Sequence, residues 1–226
     1  MSATRIHFEE QLESLRQQLV RMGRAADHMV ALAMRALEDQ DVELATRVVA
    51  SDDELDALDL EIETECLRLI ALQQPMARDL RLIGTAMKMI TDLERVGDNA
   101  VDVAKAARKL ARDGGMEVPS DILEMGRAVR QMLEDVLQAF LREDLELVDK
   151  VVRADDAVDA LYHAVRDHLH SVMVRSPDLV VRASYLLFAA YYLERMADHI
   201  VNIAERVHYN VTGRLTQLAK SHQPNT

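Results

Sequence analysis

The strongest constraint on the fold is that this chain carries nearly the same message twice. Residues 41–58, DVELATRVVASDDELDAL, return as residues 144–161, DLELVDKVVRADDAVDAL, and the block LERVGDNAVDVA from Leu93 returns as LERMADHIVNIA from Leu193. A repeat spaced by roughly a hundred residues is one structural unit used twice, so the chain reads as two related domains. The only strong break is Gly114-Gly115 with Pro119 behind it. It sets the expected division at residues 1–114 and 115–213, with a flexible tail at 214–226.

Each half reads as three helices. Apolar residues recur every three or four positions over long stretches, as in Leu12, Leu15, Leu19, Met22, Ala26, Met29 and Ala33. The spacing predicts a first helix over Phe8 to Glu38, a second from an Asp41 cap to Leu72, and a third from the Gln73-Gln74-Pro75 corner to Arg112. In the second half, Ser120 or Asp121 is expected to cap a helix reaching Arg142. Asp144 opens the next, Ser176-Pro177 makes the corner, and Gly213 stops the last helix near Val211. With 49% hydrophobic residues but only 3 Phe, 5 Tyr and no Trp, the interior is aliphatic, which suits helix packing. The expected fold is all-α: two tandem, sequence-related three-helix bundles running up, down and up.

The duplicated blocks preserve acidic pairs one helical turn apart. These are Asp52 with Asp56 and Glu94 with Asp98, then Asp155 with Asp159 and Glu194 with Asp198. Such pairs arise often by accident among 39 acidic residues, but their distance from the corners is more telling. Asp56 lies 19 positions before Pro75 and Glu94 lies 19 after it, while Asp52 and Asp98 lie 23 before and 23 after. Around Pro177 the offsets are 18 and 17 for Asp159 and Glu194, and 22 and 21 for Asp155 and Asp198. Helices folding back at those corners bring each set of four to one level, in the first half about 28 to 35 Å from the turn at ~1.5 Å per residue. Four carboxylates so close need a positive partner. The neighbouring Arg95 and Arg195 are one choice, and hard cations that take oxygen ligands (magnesium, calcium, manganese or iron) are another. The plain alternative is that these acids sit on solvated faces bridged to arginines. Glu205 and His208 form one Glu-x-x-His, but Lys105 and Arg108 stand at the first-half equivalents, which argues against a ferritin-like di-iron enzyme.

A formal charge of -12 without a basic stripe argues against nucleic acid as a partner. No run approaches the ~18 apolar residues of a membrane span. A single cysteine, Cys66, excludes an internal disulfide, and with no signal-like N-terminus the expected compartment is the cytoplasm.

The opening FEEQLESLRQQLVRMG, the segment QQPMARDLRLIGTAMKMITDLERVGDNA and the closing LERMADHIVNIAERVHYNVTG resemble the PhoU family along almost the whole chain. That resemblance implies two three-helix bundles with an acidic E/D-x-x-x-D motif, which in some members binds clusters of metal ions. The motif maps onto Asp52, Asp56, Glu94, Asp98, Asp155, Asp159, Glu194 and Asp198 as metal residues. It also implies a non-enzymatic regulator of phosphate uptake and of the phosphate-starvation response, and the sequence, with no nucleophile beside a base, is compatible with that. The implied partners are the ATP-binding subunit of a phosphate ABC transporter and a sensor histidine kinase, with a homodimer as the assembly and a peripheral position at the inner face of the membrane. The first half departs from the second where Asp102 and Lys105 replace Asn202 and Glu205, so the two sites are not expected to be equivalent. The competing reading is a metal-dependent enzyme whose carboxylate cluster activates water or oxygen.

Overall fold

The computed structural model describes residues 3–218. Helix α1 (Ala3–Asp39) leads to α2 (Val42–Ala50), α3 (Asp52–Gln73) and α4 (Ala77–Arg112) in the first half. The second half holds α5 (Ser120–Arg142), α6 (Leu145–Arg175), a 3-10 turn (Pro177–Leu179) and α7 (Val180–Thr212). Among the described residues there is no strand, and no helix is long and apolar enough to cross a membrane.

Local chemistry explains most boundaries. The Asp41 carboxylate accepts the Leu44 N–H, and Asp144 accepts those of Glu146 and Leu147, so the duplicated aspartates cap equivalent helices. Gly213, at φ 73°, ends α7 by giving its N–H to the Tyr209 carbonyl. Gly114 and Gly115 both adopt positive φ in the linker, where a side chain is strained.

Two expectations are corrected. The helix expected to run unbroken from Asp41 to Leu72 is split at Ser51, which the hydroxyl explains. Ser51 Oγ donates to the Val48 carbonyl, and its backbone N–H is shared between the Arg47 and Val48 carbonyls. A serine that bonds its own backbone competes with the helical ladder, and three acids, Asp52, Asp53 and Glu54, favour a fresh N-terminus just beyond. In the second half Ala154 takes the place of Ser51, and α6 continues without a break. The other correction concerns α5. Pro119 stands at its N-cap without a side-chain cap, and Ser120 Oγ bonds the Asp121 carboxylate instead.

The halves share one continuous core instead of burying two separate ones. Their most extensive helix pairing is α4 against α7. Thr85 Oγ1 donates to the Arg206 carbonyl, and Asp92 meets both His199 and Asn202, so the two helices run antiparallel. The linker is fastened to both sides: Gln40 donates to the Met116 carbonyl, Arg182 to that of Gly115, and Tyr185 Oη to Asp113. Of the tail expected to be frayed from Arg214, residues 219–226 lie outside the described residues. Within the described part, Leu218 donates its N–H to Glu205 Oε1 at 2.6 Å and packs on the core.

Candidate metal centre

The eight carboxylates sit where consecutive helices of each half face one another. In the first half Asp52 and Asp56 project from α3, and Glu94 and Asp98 from α4. Asp52 stands close enough to Asp98 for each charge to act on the other, and Glu94 stands in the same relation to Asp56. Those are the pairs placed at equal height by the Pro75 corner. The second half repeats the pairing between α6 and α7: Asp155 interacts with Asp198 and Glu194, and Glu194 with Asp159.

This crowding shows in proton affinity. Burial, followed by repulsion from Asp159, Asp198, Asp156 and Glu194, pushes the Asp155 carboxyl up to about 7. Burial, with Asp198 and Asp159 adding to it, raises Glu194 to about 7 as well, against the opposing pull of Arg195. Asp52 and Glu94 shift upward for the same leading reason, burial.

The halves differ in how the negative charge is answered. Arg95 reaches both carboxylates of α4, Glu94 Oε2 at 3.3 Å and Asp98 Oδ2 at 2.7 Å. Lys105 Nζ binds Asp102 Oδ1 at 2.9 Å and its charge also favours the ionised form of Asp52. In the second half Arg195 binds Asp198 at 2.9 Å, while Asp155 Oδ1 and Glu194 Oε2 are buried with no hydrogen-bond partner. Asp155 is only 4% exposed. Two orphaned carboxyl oxygens on facing helices, in a donor set made only of carboxyl groups, fit a hard cation by chemistry. As the side chains stand, no three His, Cys, Asp or Glu among the described residues close to the spacing of a metal site. Binding an ion there requires carboxylate rotation toward a common point.

Sequence reasoning missed Asp59. Its charge acts on Glu94, and its own carboxyl is shifted upward by burial and then by Glu63 and Asp56. The available signal was its position one turn beyond Asp56, on the side facing α4. The duplication hid it, because Tyr162 occupies the equivalent place. Also missed was the polar bridge between the halves, in which Asp92 Oδ1 lies 3.0 Å from His199 Nδ1 and accepts from Asn202 Nδ2 at 3.3 Å.

Comparison with known proteins gives a consistent picture. A family model described as "PhoU domain" matches the chain twice, over residues 19–107 and 122–207. A Clostridium acetobutylicum protein named "Phosphate-specific transport system accessory protein PhoU homolog" is 39% identical over 216 residues, covering 95% of this chain and 99% of that one. The Escherichia coli protein named "Phosphate-specific transport system accessory protein PhoU" is 33% identical over 92% of this chain and 86% of its own length. Among solved structures, PhoU from Pseudomonas aeruginosa superposes with a TM-score of 0.87 at 37% identity, covering 92% of this chain and all (100%) of that one. The phosphate transport system regulatory protein PhoU from Streptococcus pneumoniae gives 0.88 at 30% identity, over 93% and 100%.

Proposed function

Because this chain belongs to the PhoU family, we propose that it is a non-enzymatic accessory regulator of phosphate uptake. In this reading it links the ATP-binding subunit of a phosphate ABC transporter to a sensor histidine kinase, and it represses the phosphate-starvation response when phosphate is plentiful. It works in the cytoplasm as a homodimer, reaching the membrane through its partners. The observation that carries the reading is similarity over nearly the whole chain to proteins named for that accessory role, 95% of this chain against 99% of one such relative. Long helices with exposed faces are compatible with an adaptor, because they offer extended surfaces to more than one protein.

The same reading gives the carboxylates a structural cation. Asp155, Asp159, Glu194 and Asp198 hold it in the second half, and Asp52, Asp56, Glu94 and Asp98 in the first. Magnesium, calcium, manganese and iron all match an oxygen-only donor set. Such an ion, when bound, supplies positive charge between paired helices. The residues do the rest: Asp155 and Glu194 present their unpartnered oxygens, and Arg195 holds Asp198 in place.

The test is a strain lacking this chain, assayed for alkaline phosphatase in phosphate-rich medium. Constitutive expression, reversed by supplying the chain, is the expected result. Normal repression in the deletion strain would refute the regulatory reading.

A further inference from the structure

The two halves have diverged most tellingly on one outer face. Tyr162 on α6 and Tyr185, Phe188, Tyr191 and Tyr192 on α7 make up most of the chain's 3 Phe and 5 Tyr. At the equivalent first-half positions stand Asp59, Thr85, Lys88, Thr91 and Asp92, none of them aromatic. None of the five aromatics is buried in the core, whereas Phe8 and Phe140 are.

Phe188 is 54% exposed and Tyr191 42% exposed, although each is large and apolar enough to be drawn inside. They follow one another along an outer stripe of α7 that begins at Val181, itself 53% exposed. Tyr191 stacks at a tilt against Tyr192, ring centroids 5.7 Å apart, and lies within electrostatic reach of Tyr162. Helix packing does not require these rings, since Lys88 and Thr91 serve the same fold at the same places. Exposed aromatic clusters of this kind are what protein interfaces use as anchors.

Charge selects the occupant. Tyr162, which lies within electrostatic reach of Tyr191, also feels the charges of Glu194 and Arg166, so the edge of this face borders an acidic group. The whole chain carries a formal -12, which disfavours an anionic membrane and favours a basic partner. We infer that the α6–α7 face centred on Phe188 and Tyr191 docks a basic amphipathic helix of a protein partner. Its apolar side covers the two rings, and its Lys or Arg side chains meet the ring faces and the acidic surface of the chain. This inference deepens the adaptor reading, and rests on it, by naming the surface through which one partner is held.

The full chain is titrated by calorimetry with a Leu/Lys amphipathic peptide of about 18 residues, and separately with its Leu/Glu counterpart. The Lys peptide is expected to bind and the Glu peptide not to. Phe188→Ser with Tyr191→Thr, which changes no charge, is expected to weaken binding at least ~10-fold. Leu60→Ser with Leu67→Ser removes similar exposed apolar area from α3 and is expected to leave binding at the wild-type level. Thermal melts check that both double variants fold. Unchanged affinity in the aromatic variant, an equal loss in the leucine variant, or binding of the Glu peptide each overturns the inference. So does a wild-type dimer in sedimentation that the aromatic variant abolishes, or binding to phosphatidylcholine vesicles that depends on the same two residues. No transporter or kinase takes part in this titration, so its failure leaves the alkaline phosphatase result, and with it the adaptor reading, standing on its own.

Discussion

Leu55 on α3 fills the space that a Cβ on Gly97 of α4 would occupy. Leu55 is almost fully buried, and Gly97 sits one residue before Asp98. The contact therefore sets how near α3, which carries Asp52 and Asp56, comes to α4, which carries Glu94 and Asp98.

Gly97→Val is expected to push these helices apart and cost about 1 to 3 kcal/mol, by overpacking. Urea unfolding measures the cost. Because the site in the second half is built on α6 and α7, any ion bound there should be retained. A variant as stable as the wild type would mean that Leu55 repacks freely.

Stability should fall as pH rises through neutrality. Asp155 and Glu194 have carboxyls at about 7 in the folded chain, well above the ~4 of an unfolded one. The folded state thus holds more protons than the unfolded state between those limits. Its contribution is fully present below about pH 4 and is lost as pH passes about 7. With chelator present, Asp155→Asn is expected to raise Tm at pH 8 by a few degrees, about 1 to 2 kcal/mol, and to flatten the decline between pH 5.5 and 8. A Tm profile parallel to that of the wild type would count against an unpartnered charge at Asp155.

Added manganese or magnesium should stabilise the protein. One site filled at a hundredfold excess over Kd contributes about 2.7 kcal/mol. Glu194→Gln is expected to remove more of that gain than Glu94→Gln, because Arg95 already answers Glu94 and Asp98 while Glu194 Oε2 has no partner. Metal content by elemental analysis, unchanged in both variants, would eliminate these carboxylates as ligands.

Asp144→Ala is expected to cost about 1 kcal/mol, up to about 2, since two backbone N–H groups lose their acceptor. Asp41→Ala, which frees one, should cost no more. Chemical denaturation of the two variants side by side decides the order.

The duplication, the proline corners and the aspartate caps were legible because each is a local signal repeated at a fixed interval. The level matching of the carboxylates was legible too, since equal distance from a corner implies equal height along antiparallel rods. Ser51 escaped notice because the apolar period runs through it without a skip, and only its hydroxyl, absent from Ala154, shows why the helix restarts. The union of α4 with α7 was hidden for a different reason. A helix such as α4, apolar over much of its circumference, does not declare which stripe meets its own bundle and which meets the other. Asp92 and Asp59 went unread because their partners lie across elements and their counterparts in the duplicate, Tyr192 and Tyr162, are not acids.

The antiparallel union of α4 with α7 makes the linker dispensable for cohesion. Cleaving the chain at Gly114-Gly115 should leave two fragments that elute together and melt in one cooperative step, as a heterodimer assembled from gene-duplicated partners. Expressed alone, either fragment would expose the apolar side of its longest helix and seek a substitute, so separation of the halves would be a route to aggregation and not to two working modules.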